Sequence, residues 1–258
     1  MTGGGPRETD GGLPRLVVVP DAGALGAAAA GEIARALAAA VATRGVAHWA
    51  TTGGSSAPGI YAALRVPPLR DSVDWTRVHV WWGDDRFVPA DDPLSNVPPI
   101  AGMVIPTANL HPIPTTEAIA LGEGPSWAAA VYARELAALV PFDAGESPVF
   151  DVIVLGVGPD GHVLSVFPES PAWDSADLCL GVAAPSHVEP HVARVTMHPR
   201  VLAAARAVLV VAAGASKAGV LGRAWTGDNV REMPVRAARL PAATWVLDEA
   251  AAAELPRG

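Results

Sequence analysis

The sequence predicts an α/β protein in which helices cover a parallel sheet. Two observations carry this. Short valine-rich apolar runs alternate with alanine-rich amphipathic segments, the alternation that builds a buried parallel sheet with helical crossovers. Several of the runs end in glycine, serine or charged residues, and the carboxyl ends of strands are where open α/β sheets bind ligands.

The elements follow in order. "RLVVV" (15–19) reads as the first strand. A helix over Ala22 to Arg44 has Asp21 as N-cap, Ile33, Leu37 and Val41 one turn apart, and Gly45 as its stop. "VAHWATT" (46–52) is a strand, followed by a short helix near Pro58, and "RVHVWW" (77–82) is another strand. The segment "VPPIAGMVIPTANLHPIP" (97–114) holds too many prolines for regular structure and reads as a long ordered loop. After Ser126, "WAAAVYARELAALV" predicts a helix with Trp127, Val131, Leu136 and Leu139 on one side, ending before Pro141. The remaining strands are "FDVIVLG" (150–156), "LCLGVAA" (178–184), "ARVTM" (193–197), "AVLVVAA" (207–213) and "TWVL" (244–247). Short helices follow Pro199 and Ser216.

The chain has 258 residues and no internal repeat or composition break, so one domain over 13–258 is expected after a short disordered leader, 1–12. The leader lacks an apolar h-region, and nowhere do about twenty apolar residues run uninterrupted, which predicts a soluble, cytoplasmic protein. A net charge of -8 argues against a general nucleic-acid or membrane-surface binder. An anionic ligand must then be gripped by a few local cations. The single cysteine, Cys179, excludes an intrachain disulfide and a multi-cysteine zinc site, and its place inside an apolar run makes it a buried spectator.

Four strand ends carry chemistry. In "TTGGSSAPGIYAAL", Gly53 and Gly54 let backbone approach a ligand, Ser55 and Ser56 add hydroxyls, and the next helix aims its first amides at an anion. A phosphate cradle and a plain tight turn both fit. The lysine of a nucleoside-triphosphate loop is missing. In "GDDRFVPADDPLSN", Arg86 offers a bidentate clamp oriented by Asp84 or Asp85, or else a surface ion pair. In "GVGPDGHVLSVFPES" the first six residues fit the dinucleotide fingerprint, yet Pro168 stops any full helix and Asp177 precedes the next strand instead of closing it. What remains is a glycine turn presenting Asp160 and His162, the latter as general base or as a hydrogen bond to its own turn. In "GASKAG", Lys217 is the only lysine of the chain and sits near a helix start, where a bound anion would explain a cation.

"HVEPHVARVTMHP" holds His187, His191 and His198, but Pro190 prevents the helix that would align the first two, and no metal is expected. No G-x-S-x-G elbow is present and Cys179 sits inside an apolar strand, both of which argue against a covalent route.

Together the four segments resemble the 6-phosphogluconolactonase family, within the larger group of sugar-phosphate isomerases, deaminases and coenzyme A transferases. "GVGPDGHVLSVFP" is similar to G-x-G-x-D-G-H-x-x-S-L-F-P, "WWGDDRFVPADDPLSN" to W-G-D-E-R-x-V-P-x-x-x-x-x-S-N, and "GGSSAPGIYAAL" to G-G-S-T-P-x-x-L-Y. "ARVTMHPRVLAAARAVLVVAAGASKAGVL" resembles the later R-x-T…N-x-A…G-x-x-K-A region. The blocks run in the family's order over about residues 15 to 250. Departures are Asp85 for Glu, Ala57 in place of the loop proline, Val166 for Leu, and Val201 or a neighbour for Asn.

The resemblance implies a single-domain, three-layer α/β/α fold around a modified Rossmann-like, mostly parallel sheet. It further implies cofactor-free hydrolysis of 6-phosphoglucono-δ-lactone to 6-phosphogluconate in the oxidative pentose phosphate pathway, by a monomer or small homo-oligomer with no nucleic-acid or membrane partner. His162 would be the base and Asp160 its orienter, with the phosphate held by Gly53, Gly54, Ser55, Arg86, Arg194 and Lys217. The alternatives are an aminosugar-phosphate deaminase or sugar-phosphate isomerase, using Asp84 or Asp85 as a second base, and a non-catalytic sugar-phosphate sensor.

Overall fold

A computed structural model describes residues 12–256. Of the leader expected over 1–12, all but the last residue lies outside them. In chain order the first half holds β1 (Arg15–Val19), α1 (Ala22–Arg44), β2 (Ala47–Thr51), α2 (Ala57–Leu64), β3 (Val78–Trp82), β4 (Asp84–Arg86), β5 (Leu110–His111), α3 (Thr115–Ala120) and α4 (Pro125–Leu139). The second half holds β6 (Val152–Gly156), β7 (Cys179–Val182), β8 (Arg194–Met197), α5 (Val201–Ala204), β9 (Val208–Ala212), α6 (Ala218–Trp225) and β10 (Ala243–Asp248).

Seven strands form one sheet in the order β1-β10-β9-β6-β2-β3-β5, and every pairing in it is parallel. Its central strands are buried on both faces, which is why they read as unbroken apolar runs instead of alternating ones. From β2 the chain continues to β3 on one side, whereas from β6 it continues to β9 on the other. The connections diverge between β2 and β6, opening a crevice at the carboxyl ends of these strands.

Helices close both faces. On one, Tyr61 of α2 packs against Trp49 and hydrogen-bonds Thr51 at 2.6 Å. On the other, Tyr132 of α4 lies against Trp81 and its hydroxyl accepts from Trp82 N at 2.9 Å. α1 starts where Asp21 Oδ1 accepts from Ala24 N, and it stops at Gly45 in the left-handed region, φ 75°. By length and composition α1 is apolar enough to cross a bilayer, but Leu25, Ile33 and Leu37 are spent on the core. Each such burial is worth roughly 1.5–3 kcal/mol.

The structure departs from the sequence reading in three places. The expected strands 178–184 and 193–197 leave the main sheet and form an antiparallel one, β4-β8-β7. Its third member, β4, is three charged residues that no local propensity marks as strand; pairing with β8 makes it one. Within 97–114, residues 110–111 add a parallel edge, β5, beside β3. The buried face of α4 is Ala128, Ala129, Tyr132 and Leu136, while Leu139 is largely exposed. Small alanines let the helix approach closely, and the Tyr132 hydroxyl finds backbone partners on Trp82.

Candidate active site

The loop from β2 to α2 lies at the mouth of the crevice. Gly53 is required there: a Cβ on it would sit 1.8 Å from Asn96 Oδ1. Gly54 turns through φ +78°, and α2 begins with Pro58 in its first turn, where the missing amide costs no helical bond. Ser56 at the N-cap makes no side-chain capping bond, so the first amides of α2 are not closed off by it.

β4 and β8 bring two arginines together. In their antiparallel register Arg86 stands opposite Arg194, and Asp84 opposite Thr196. The expectation that Asp84 or Asp85 orients the Arg86 guanidinium is not met. Asp85 is buried and accepts from Arg86 N and Asn96 N, each at 2.7 Å, and from Ser95 Oγ at 2.8 Å. Burial pushes its carboxyl up to about 6 against those three donors. Asp84 accepts from Ser165 Oγ. Arg86 is held instead by Leu94 O at 2.7 Å and Asn96 Oδ1 at 3.0 Å. Arg194 is buried, donates to Pro190 O at 3.3 Å and lies over the Phe167 ring, 5.4 Å from its centroid. Nε of both arginines is buried without a partner. Burial lowers the pKa of Arg194, helped by the charge of Arg86 and opposed by that of Asp84.

After β6 the chain makes a tight turn in which Gly161 N donates to Gly158 O and Gly158 N donates to His162 O. A Cβ at Gly158 would lie 2.0 Å from His162 Nδ1, so only glycine lets the imidazole fold back over the turn. Among the described residues no helix follows until a 3₁₀ turn at Pro171–Asp174, which removes the dinucleotide reading.

His162 Nδ1–H donates to Asp160 Oδ1 at 2.6 Å, and His162 N donates to the same oxygen at 3.1 Å. Because a carboxylate only accepts, Nδ1 carries a proton, and in the neutral ring the lone pair is then on Nε2. Asp160 Oδ2 takes a second imidazole, Nε2 of His187, at 2.9 Å. Burial works to raise the Asp160 pKa, but the hydrogen bond and charge of His162, then the bond from His187, hold it well below the ordinary carboxylate range. Lys217 Nζ donates to Val157 O at 2.8 Å. Burial lowers its pKa while the Asp160 charge opposes the shift.

These parts open on one cleft of about 200 Å³ between β2, β6 and β9. Gly53, Gly54, Ser55, Arg86, His162, Arg194 and Lys217 all line it, and Asp160 stands behind the imidazole. Sequence reasoning passed over Asn96, whose side chain bonds Arg86 and Asp84 O and abuts Gly53; the "SN" ending the arginine segment was its signal. It weighed His187 only as a metal ligand. In the structure His187, His191 and His198 go separate ways, to Asp160, to Pro185 O and to Arg200 N. No residue of 97–114 lines the cleft; its lip is Val188 and Glu189.

Such a site places the protein among α/β enzymes whose cleft opens at the carboxyl ends of a parallel sheet, where the strand connections diverge. The chain belongs to the glucosamine-6-phosphate isomerases/6-phosphogluconolactonase family, which it matches over residues 20–247. A Streptomyces coelicolor 6-phosphogluconolactonase is 39% identical over 95% of both chains, and one from Mycobacterium tuberculosis is 34% identical over 93% of this chain and 98% of its own. The solved 6-phosphogluconolactonase from Trypanosoma brucei superposes with a TM-score of 0.82 at 28% identity, covering 95% of this chain and all of that one. A monomeric glucosamine-6-phosphate deaminase at 17% identity shares the fold, with a TM-score of 0.73.

Proposed function

We propose that the protein hydrolyses 6-phosphoglucono-δ-lactone to 6-phosphogluconate in the pentose phosphate pathway, with His162 as the general base. One observation carries the reading: the His162 imidazole, bonded through Nδ1 to Asp160, and the paired arginines line the same cleft. The phosphate binds between Arg86 and Arg194, reached by Lys217 and by the amides of Gly53, Gly54 and Ser55. That anchoring presents the lactone carbonyl to the imidazole, so binding energy is spent on orientation.

His162 Nε2 takes a proton from water as the water oxygen bonds the carbonyl carbon. The tetrahedral oxyanion collapses, the bond to the ring oxygen breaks, and Nε2–H returns the proton to that oxygen. The product acid then ionises into solvent. Asp160 keeps the imidazole in the tautomer that makes Nε2 the base and stabilises the transient imidazolium.

The deaminase or isomerase reading needs a second carboxylate beside the sugar. Asp85 turns inward to three donors, and Asp84 is bonded to Ser165, which leaves that reading weaker support. We further take the protein to be soluble and cytoplasmic, since the apolar residues of α1 are buried in the core and the net charge is -8.

The test offers freshly generated lactone and, separately, glucosamine 6-phosphate. Lactone loss above the spontaneous rate without ammonia release from the aminosugar is expected; ammonia release without lactone loss would overturn the assignment.

A further inference from the structure

We propose that His187 is a positioning residue for the base, acting through Asp160 and not through the substrate; this rests on the lactonase reading above. The two carboxylate oxygens of Asp160 are divided between two imidazoles, Oδ1 to His162 at 2.6 Å and Oδ2 to His187 at 2.9 Å. Both donors of His162, its ring Nδ1 and its backbone N, meet Oδ1, so Oδ2 is fixed by His187; with donors on both oxygens the carboxylate plane has one orientation. The direction of Oδ1 sets the direction of the His162 ring, and so the aim of Nε2.

A second contact fixes His187 itself. Its ring meets Phe167 edge-on, centroids 5.6 Å apart at 76°, while the other side of the same neighbourhood holds His162, 4.6 Å from Phe167. Phe167 thus contacts both imidazoles and also lies under Arg194, tying the base and the phosphate clamp to one aromatic wall. His187 is 54% exposed and outside the cleft lining, so substrate contact does not account for its placement. It stands beside Val188 and Glu189, which form the lip, and the backbone there is pinned where His191 Nδ1 donates to Pro185 O at 2.7 Å. The arrangement couples the position of the lip to the orientation of the base.

The experiment compares wild type, His187→Ala and His187→Gln, the last keeping an N–H donor at the position of Nε2. Three quantities are read: kcat and KM for the lactone, thermal midpoint, and the ¹⁵N signature of the His162 tautomer. For His187→Ala the expected result is a kcat lower by roughly five- to tenfold, as for loss of one charge-assisted hydrogen bond at a partly exposed site. KM and thermal midpoint stay near wild type, and a mixed His162 tautomer appears. The Gln variant recovers most of kcat and the Nδ1–H tautomer. An unchanged kcat and tautomer in His187→Ala, a change in KM alone, or failure of Gln to restore either readout would overturn the proposal. The tautomer readout stands whether or not the wild type hydrolyses the lactone, so a failed function assignment is told apart from a failed role for His187.

Discussion

Arg86 and Arg194 face each other directly across the β4–β8 ladder, and neither has a carboxylate partner among the described residues. Like charges opposite one another destabilise a sheet, and a buried guanidinium without an ion partner costs more. On the proposed reading, an anion bound between them reverses the sign of both effects. Arg194→Met should therefore leave stability in plain buffer unchanged or raise it by about 1 kcal/mol, while kcat/KM for the phosphorylated lactone falls by about ten- to a hundredfold. Thermal melts with and without inorganic phosphate check the same point: phosphate should raise the wild-type midpoint and do little for the variant.

Asp160→Asn tests the tautomer. An amide that turns its NH₂ toward His162 favours the proton on Nε2, where it blocks the lone pair. A kcat loss of roughly 10² to 10⁴-fold with nearly unchanged KM is expected. The linkage has a definite sign as well. The folded pKa of Asp160 is depressed, so its contribution to stability is complete above the unfolded value near 3.8 and is lost as pH falls through the folded one. Urea titrations of wild type and variant should coincide in slope above about pH 5 and diverge in strong acid.

On the sheet face covered by α4, His48, His79 and His111 cluster around Trp81. His79 Nδ1 and His111 Nε2 are 2.9 Å apart, His111 Nδ1 donates to Glu135 at 2.6 Å, and Trp81 Nε1 donates to His48 Nδ1 at 3.3 Å. Burial, then the neighbouring charge of His79, lowers His48 to about 4, with Asp151 opposing. A depressed histidine contributes fully above its unfolded pKa, so stability should fall as pH drops from about 6.5 toward 4, by at most a few kcal/mol. Asp85, raised to about 6, has the opposite sign: its contribution is complete below about 4 and is lost as pH rises through 6. Denaturant midpoints between pH 4 and 7 should lose the acid-side decline in His48→Gln; an unchanged decline would assign it elsewhere.

The central strands, α1 with both its caps, and the four turns that line the cleft were legible because each rests on a local signal: apolar runs, Asp21, Gly45, and strand ends rich in glycine or charge. The family resemblance added the reaction and the phosphate-binding role expected of Arg194. What escaped was non-local. β4 is a strand only because β8 lies beside it, and Asp85 turned inward because Asn96 and Ser95, some ten residues on, supply its donors. His187 was invisible as a partner of Asp160 because it lies 27 positions further on, beyond strand β7 of the separate antiparallel sheet. Sequence spacing placed it beside His191; the fold placed it beside the base.

The most direct measurement is lactone hydrolysis by wild type and His162→Ala, with 6-phosphogluconolactone generated freshly by glucose-6-phosphate dehydrogenase and its loss followed above the spontaneous rate. Wild type should accelerate the reaction, and the variant should lose about 10²-fold or more of kcat while its phosphate-dependent rise in thermal midpoint persists. Turnover by His162→Ala near the wild-type rate would contradict the account, because no other group in the cleft has been given the proton.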